Sequence, residues 1–192
     1  MRLFVGVELS DGVRGRAADA ATHLRREAER TIPKTVLRWV DSANLHITVW
    51  FLGEVRDPRD QTVVAALEEP LRVRPFTMHV KGAGAFPRSG PPRAIWLGLE
   101  AGREGLLAIH DALRQRVAPL GFEPEKRPYA PHLTIARVKD VRPRDSSTLR
   151  RMVDKALDDA GACKIRHATL FRSRTLPTGS HYEALVRTPL LE

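Results

Sequence analysis

Two short stretches of the chain, HITV and HLTI, repeat one pattern of side chains that could do chemistry. His46 and Thr48 are two residues apart in the first, and His132 and Thr134 have the same spacing in the second. Both stretches lie in apolar, β-branched runs that predict buried strands, in which residues i and i+2 share a face. Each strand is therefore expected to present an imidazole beside a hydroxyl, on an apolar backing.

Two imidazoles in one cleft could act as base and acid in the same reaction, because each has a pKa near neutrality. Threonine hydroxyls beside them are neutral donors suited to the non-bridging oxygens of a phosphate. The set fits phosphodiester chemistry at a ribose. It requires no metal or cofactor, because proton transfer and hydrogen bonds serve the displacement. The spacing also disfavours a metal, since each motif has a single histidine and no carboxylate or cysteine close by on the same face. One such motif alone is a weak signal, and two matched copies predict a catalytic site.

The order of predicted elements repeats at roughly half the chain length, with strand, helix, histidine strand, helix and strand in each half. The halves are approximately residues 1–88 and 93–192, and the run SGPPR lies between them. Two such units packed about a pseudo-two-fold axis would place equivalent residues opposite each other. The repeat therefore predicts one bilobal domain, residues 1–192, in which His46 faces His132 across a shared groove.

The predicted fold class is α+β, with antiparallel sheets lining the groove and helices outside. The first helix is expected to begin at Ser10 or Asp11, where a side chain can cap it, and to end before Pro33. A second helix is predicted directly after Asp57-Pro58. Two more are predicted over residues 103–120 and 145–160. The predicted strands span residues 2–9, 36–40, 44–52, 76–85, 94–100, 132–138, 163–171 and 181–187.

The composition favours a nucleic-acid partner. Lys and Arg number 32 against 23 Asp and Glu in 192 residues, which gives a formal net charge of +9. The basic residues are spread along the chain, so they predict a positive field over a surface rather than a basic tail. With 42% hydrophobic residues, the chain can bury a core, and the single cysteine, Cys163, is expected to lie in it.

No apolar run approaches the roughly 18 residues of a membrane span, and the N-terminus does not have the pattern of a signal peptide. We therefore expect a cytoplasmic protein with no membrane partner. We also expect a monomer, since an internal pseudo-dyad needs no second chain to complete its cleft.

The stretches LHITVWFLG and PHLTIAR resemble the two signature motifs of the two-histidine phosphoesterases. Within that superfamily the chain is most similar to the bacterial and archaeal RNA 2′,3′-cyclic phosphodiesterases, also called 2′-5′ RNA ligases. The likeness extends from MRLFVGVELS at the start, through AFPRSGPPRAIWLGL, to LFRSRTLPTGSHYEAL near the end. It implies a bilobal α+β fold and hydrolysis of a terminal 2′,3′-cyclic phosphate of RNA to a 2′-phosphate.

The resemblance also implies roles for the motif residues. His46 would donate a proton to the leaving 3′-oxygen, and His132 would accept a proton from the attacking water. Thr48 and Thr134 would bind the phosphate, and so would Arg137. On an ideal strand Arg137 would point away from His132, so that role requires a bulge. The alternative is a surface arginine.

Trp50 and Tyr129 are candidates for stacking on a base. Trp50 has the same strand parity as His46 and Thr48, which favours the groove. Core packing is the expectation for Trp39 and Phe86. The remaining histidines are interpreted as structural or surface residues: His23, His79, His110, His167 and His181.

Other functions remain open. Ligation would use the same acid and base, with a 5′-hydroxyl in place of water, and a small cyclic nucleotide-like metabolite could replace RNA. A non-catalytic RNA-binding module is the alternative from a different class.

Overall fold

The computed structural model of the protein describes residues 1–125, 127–176 and 179–191. Within these residues the chain forms four α-helices and ten strands. The helices are α1 (Asp11–Thr31), α2 (Arg59–Glu68), α3 (Arg103–Val117) and α4 (Pro143–Val153). The strands are β1 (Arg2–Glu8), β2 (Val36–Trp39), β3 (His46–Glu54), β4 (Leu71–Arg72), β5 (Phe76–Phe86), β6 (Ala94–Ala101), β7 (Leu133–Asp140), β8 (Asp159–Ile165), β9 (His167–Leu176) and β10 (Gly179–Leu191).

The strands form two five-stranded sheets. Sheet A has the order β3-β1-β9-β10-β4, and sheet B has the order β2-β7-β6-β5-β8. Neighbouring strands are antiparallel except for the short parallel pair of β4 and β10. The two strands that carry the histidine motifs, β3 and β7, contact each other. The predicted α+β bilobal fold is confirmed.

Each lobe is built from both halves of the chain. Sheet A takes β1, β3 and β4 from the first half and β9 and β10 from the second, while sheet B receives β2 and β5 from the first half. The helices are exchanged as well, because α1 packs on β7 and β8 and α3 packs on β3 and β4. The two halves of the chain therefore cannot separate without breaking both sheets, and the buried residues of the two lobes form one continuous core.

The first helix forms as its sequence predicts. Ser10 accepts a hydrogen bond from the Val13 backbone N–H at 3.4 Å, which satisfies one of the free donors at the helix start. The buried stripe has helical spacing and faces sheet B: Val13, Ala17, Ala20, Ala21, Leu24 and Ala28. Cys163 is buried, as predicted.

Several predicted elements have different limits in the structure: the last strand extends over Gly179–Leu191, and α3 ends at Val117. Two further elements differ more. The helix predicted for residues 145–160 begins at Pro143 and ends at Val153, and Asp145 pairs with Arg142 at 2.8 Å inside the first turn. The strand predicted for residues 163–171 is two strands, since β8 lies in sheet B and β9 in sheet A. An apolar run does not reveal the point at which the chain crosses from one sheet to the other.

Candidate active site

His46 begins β3 and is held by its neighbours in the chain. Its Nδ1 lies 2.7 Å from the carbonyl oxygen of Asn44, and its Nε2 lies 2.9 Å from Oγ1 of Thr48. A carbonyl oxygen can only accept, so Nδ1 carries the proton, and Nε2 of the neutral ring accepts a hydrogen bond from the Thr48 hydroxyl. The motif therefore fixes one tautomer and keeps Nε2 beside the threonine.

His132, immediately before β7, repeats this arrangement in the other lobe. Its Nδ1 lies 2.7 Å from the carbonyl oxygen of Ala130, which again is two residues earlier. The same tautomer follows, with Nε2 as the nitrogen that can accept a proton. The two motifs thus present the same ring nitrogen of each histidine for proton transfer.

Both histidine strands contain a β-bulge directly after the threonine. In sheet A, Thr48 lies opposite Gly6 but Trp50 lies opposite the next residue, Val5, so Val49 is the extra residue. A bulge of this kind shifts the alternation of side chains by one position. Thr48 and Trp50 therefore point to opposite faces of the sheet.

The bulge of β7 has the same position within its motif. Thr134 lies opposite Trp96, and Ala136 lies opposite Ile95, so Ile135 is the extra residue. Ile135 and Ala136 are both fully buried. The two strands are equivalent in backbone as well as in motif.

The bulge in β3 makes the prediction for Trp50 wrong. Simple alternation placed this side chain in the groove, but it is only 3% exposed and its ring lies 4.9 Å from that of His110 in α3. It belongs to the core beneath β3. The residue that returns to the groove face is the next one, Phe51, which is 47% exposed.

The bulge in β7 removes the geometric obstacle to a role for Arg137. This residue lies opposite Ala94, two positions from the Trp96–Thr134 pair, and so shares the face of His132 and Thr134. Its side chain is exposed. The structure therefore places Arg137 on the same face of sheet B as Thr134, and its contact with a phosphate stays a prediction.

His46 is surrounded by aromatic rings of sheet A. Its ring centroid lies 4.8 Å from that of Phe4, 5.2 Å from Tyr182 and 5.8 Å from Phe171. This burial lowers the pKa of His46 below its ordinary value, because the charged form loses hydration, and the hydrogen bond to Asn44 opposes the change only in part. The unliganded protein therefore favours the neutral ring.

Phe86 lies beside His132 rather than in the core alone. It is half-buried, and its ring meets that of His132 edge-on with centroids 5.0 Å apart. The predictions from sequence missed Phe86, Phe4, Phe171 and Tyr182 as neighbours of the two histidines. Phe86 lies opposite Ala94 of β6, and Phe171 lies opposite Phe4 of β1. These strand pairings, which bring both rings close to the histidines, are not evident from the sequence.

Tyr129 joins the two histidine strands. Its hydroxyl donates to the carbonyl oxygen of Thr48 at 3.0 Å, and its ring stacks on His110 at 4.8 Å with an interplanar angle of 6°. Burial raises the pKa of Tyr129 well above its usual range. The predicted stacking on a base is not supported here, because one ring face is covered by His110 and the hydroxyl ties the loop before His132 to β3.

Gly6 provides the space that the His46 ring occupies. A Cβ atom at this position would lie 2.9 Å from the carbonyl oxygen of Ile47 and 3.2 Å from Cδ2 of His46. Any larger residue would therefore push β3 or its histidine away from β1. The sequence signal for this requirement is a glycine within an otherwise apolar strand.

The other histidines lie outside this arrangement. His110 packs between Trp50 and Tyr129, and His79 bonds Glu100 and Asp159 at 2.9 and 2.8 Å on sheet B. In the described part of the chain, no three histidine, cysteine, aspartate or glutamate side chains are grouped so that they could hold a metal ion. No helix in that part is long and apolar enough to cross a membrane.

Two largely antiparallel sheets that meet along a pair of His-x-Thr strands define a two-histidine phosphoesterase fold. A family model described as the 2′-5′ RNA ligase superfamily matches residues 13–175. The chain belongs to this superfamily.

Relatives and solved structures agree with this assignment. The chain is 31% identical to the RNA 2′,3′-cyclic phosphodiesterase of Methanocaldococcus jannaschii over 186 residues, which cover 96% of this chain and 98% of the relative. It is 34% identical to the Thermotoga maritima protein of the same name over 140 residues, 72% of this chain and 71% of that relative.

Among solved structures, a Thermus thermophilus protein superposes with a TM-score of 0.77 and 28% identity, covering 99% of this chain and 98% of the other. Escherichia coli LigT complexed with 3′-AMP superposes with a TM-score of 0.72 and 25% identity, covering 100% and 98%.

Proposed function

We propose that this protein is an RNA 2′,3′-cyclic phosphodiesterase that hydrolyses a terminal 2′,3′-cyclic phosphate to a 2′-phosphate. The relatives named above are called RNA 2′,3′-cyclic phosphodiesterases, and E. coli LigT has been crystallised with 3′-AMP. The observation that carries the proposal is the matched pair of histidines. Each donates Nδ1–H to the carbonyl two residues earlier, so each keeps Nε2 for proton transfer.

In the proposed reaction, Nε2 of His132 accepts a proton from a water molecule as the water oxygen attacks phosphorus. The bond from phosphorus to the 3′-oxygen breaks on the opposite side, and Nε2–H of His46 protonates the leaving oxygen. His132 takes up one proton and His46 gives one, so the products are a 2′-phosphate and a 3′-hydroxyl. The donor and acceptor assignment follows the family resemblance.

Thr48, Thr134 and Arg137 would hold the non-bridging oxygens of the phosphate. The two hydroxyls share the groove face with the histidines, and the bulge of β7 turns Arg137 to that face. An arginine fork suits paired phosphate oxygens and stabilises the charge that develops on them during the displacement. All proton transfers are assigned to side chains, so the mechanism needs no metal.

The donor role of His46 requires its charged form, which burial disfavours in the free protein. A bound phosphate supplies a negative charge beside the ring, and a nearby opposite charge raises a histidine pKa. Thr48 can then accept from Nε2–H instead of donating to it. The substrate would thus bring about the protonation that its own cleavage needs.

Ligation is the second candidate, favoured by the name of the superfamily that matches the chain. A 5′-hydroxyl in place of water would give a 2′-5′ linkage, with the same acid and base. RNA binding without catalysis is the alternative that the experiment must separate from both.

The test is to incubate the purified protein with adenosine 2′,3′-cyclic phosphate in excess EDTA and to identify the product. We expect adenosine 2′-phosphate. Formation of the 3′-phosphate would reverse the leaving group and contradict the assignment of His46. Turnover that stops with EDTA and returns with added metal would exclude the metal-free mechanism. Binding of RNA without any turnover would favour the binding module.

A further inference from the structure

We propose that Asn44 is a positioning residue for His46. Its side-chain amide holds the turn before β3 against the hairpin of β9 and β10, and this keeps its own carbonyl oxygen in place beside Nδ1 of His46. The inference rests on the proposed function, because it assigns the residue that orients the proton donor. Asn44 is the single asparagine of the 192-residue chain.

The carbonyl oxygen of Asn44 determines how the His46 ring lies. It is 2.7 Å from Nδ1, and the opposite ring nitrogen, Nε2, then lies 2.9 Å from Oγ1 of Thr48. The ring and its tautomer are therefore fixed only while this carbonyl keeps its direction. The orientation of the proton donor depends on whatever holds the turn that carries the carbonyl.

That turn is a single 3-10 turn, Ser42–Asn44, a short element with weak internal hydrogen bonding. At its start, the Asp41 carboxylate accepts a hydrogen bond from the Ala43 backbone N–H at 2.9 Å. At its end, Nδ2 of Asn44 donates to the carbonyl oxygen of Ser180 at 2.6 Å. The second bond joins residues 136 positions apart in the chain, so it fixes the turn to a distant part of sheet A.

The β9–β10 hairpin is a suitable anchor because it also contacts the His46 ring directly. Ser180 and Tyr182 are two positions apart in β10 and so share a face of the strand. The Tyr182 ring meets the His46 ring edge-on, with centroids 5.2 Å apart. One hairpin therefore holds the ring through Tyr182 and the acceptor of Nδ1–H through Asn44.

The other lobe anchors the matching carbonyl by a different contact. The acceptor beside Nδ1 of His132 belongs to Ala130, whose side chain cannot donate a hydrogen bond. The hydroxyl of Tyr129 ties that loop to the Thr48 carbonyl at 3.0 Å. An anchored carbonyl is thus common to both lobes, and the amide of Asn44 supplies the anchor on sheet A.

Loss of the anchor has a defined consequence for the protonation of His46. Burial lowers the pKa of His46, and the hydrogen bond to the Asn44 carbonyl opposes this change. A displaced carbonyl weakens that bond, so the pKa of His46 should fall further, and the neutral ring can carry its proton on Nε2 instead of Nδ1. On the neighbouring strands, the titratable or charged side chains beside His46 are Glu8 in β1, and Tyr182 and Arg187 in β10. Asn44→Ala removes none of them.

The first measurement is the steady-state kinetics of Asn44→Ala with adenosine 2′,3′-cyclic phosphate. We expect kcat to fall by about 3- to 10-fold, the range that corresponds to one hydrogen bond between neutral groups, with little change in KM. Asn44→Gln keeps the amide donor and should recover part of the loss. Ser42→Ala is the matched control, because Ser42 is an exposed residue of the same turn, and it should retain the wild-type kcat.

The second measurement reports on the ring and needs no turnover. Labelling with ¹⁵N-asparagine gives one side-chain amide signal, that of Asn44, and its bonded proton should exchange with water more slowly than a free amide. The ¹⁵N shifts of the His46 ring show which nitrogen carries the proton. We expect Nδ1 in the neutral wild-type ring, and a shift towards Nε2 together with a lower pKa of His46 in Asn44→Ala.

Three results would overturn the inference. The first is a wild-type tautomer and a wild-type pKa of His46 in Asn44→Ala. The second is a side-chain amide of Asn44 that exchanges as fast as a free one in the wild type. The third is a lower melting temperature of Asn44→Ala with no change at the ring, which would assign Asn44 a purely structural role.

The ring measurement separates this inference from the proposed function. A wild-type protein that hydrolyses no cyclic phosphate, but in which Asn44→Ala moves the tautomer of His46, would refute the proposed activity and retain the positioning role. Hydrolysis by the wild type with no effect of Asn44→Ala on His46 would do the opposite.

Discussion

The two histidine strands have the same backbone but different surroundings. In both β3 and β7, a threonine follows the histidine by two residues and a bulge follows the threonine. Three strands of each sheet correspond in order, with β3-β1-β9 matching β7-β6-β5, and the internal repeat of residues 1–88 and 93–192 stays a prediction. The side chains around the two histidines differ, although the strands that carry them correspond.

These differences are concentrated on the groove face. His46 lies within a cluster formed by Phe4, Phe171 and Tyr182, whereas the ring contact of His132 is with Phe86. A symmetric pair of histidines could not have distinct roles, since neither would be preferred as the acid. The side chains that break the symmetry are therefore those that decide the direction of proton transfer and the orientation of the substrate.

The largest effect is expected from removing either histidine. His46→Ala and His132→Ala should each reduce kcat for adenosine 2′,3′-cyclic phosphate by about 10²- to 10⁴-fold, because each removes one proton transfer. The kcat of the double variant should be only slightly lower than that of the slower single variant, since the two histidines act in one step. His23→Ala, on the exposed surface of α1, is the control and should retain the wild-type rate. Near-wild-type turnover of both single variants, with folding verified by circular dichroism, would disprove the two-histidine mechanism.

Much of the fold could be predicted from local patterns. The apolar spacing and serine cap of α1, and the two motifs on strands, depend on neighbours close in sequence. The exchange of strands between the lobes could not be predicted in this way, because the pairing of β9 with β1 depends on residues far apart in the chain. The same holds for the crossing from β8 to β9, which falls within a single apolar run.

The site was predictable up to the bulges. His46, Thr48, His132 and Thr134 could be selected from the alternation of a strand alone, and the structure brings His46 and Thr48 together through a 2.9 Å hydrogen bond. The face on which a residue after the threonine lies depends on which position is the extra residue of the β-bulge. The sequences VWF and IAR do not contain that information, since both fit regular alternation equally well. The position of Trp50 was therefore predicted wrongly, and the groove position of Phe51 was missed.

Arg137 provides the next test of the difference between the lobes. Loss of a charge-assisted hydrogen bond costs about 1.5–3 kcal/mol, so Arg137→Ala should lower kcat/KM by about 10- to 100-fold. Arg137→Lys should recover only part of this loss, because lysine keeps the charge without the paired donors. Arg30→Ala removes the same charge from the exposed end of α1 and should have little effect. If Arg30→Ala and Arg137→Ala were equally impaired, Arg137 would contribute only to the general positive field.

The smallest expected effect concerns the protonation of His46. Its burial among aromatic rings lowers its pKa in the free protein. As the pH rises, His46 should therefore lose its proton at a lower pH than an ordinary histidine, whose pKa is 6.5. This can be measured by titrating the ring Cε1–H resonance by NMR, with His46→Gln to assign the signal.

Addition of adenosine 2′-phosphate should then raise the pKa of His46, because the phosphate charge stabilises the imidazolium. The control is 1-O-methylribose without phosphate, which should leave the pKa of His46 unchanged. A pKa of His46 at or above the ordinary value in the free protein would show that the aromatic cluster does not control this ring. A lowered pKa of His46 that phosphate fails to raise would favour His46 as the base, and the roles of the two lobes would then be reversed.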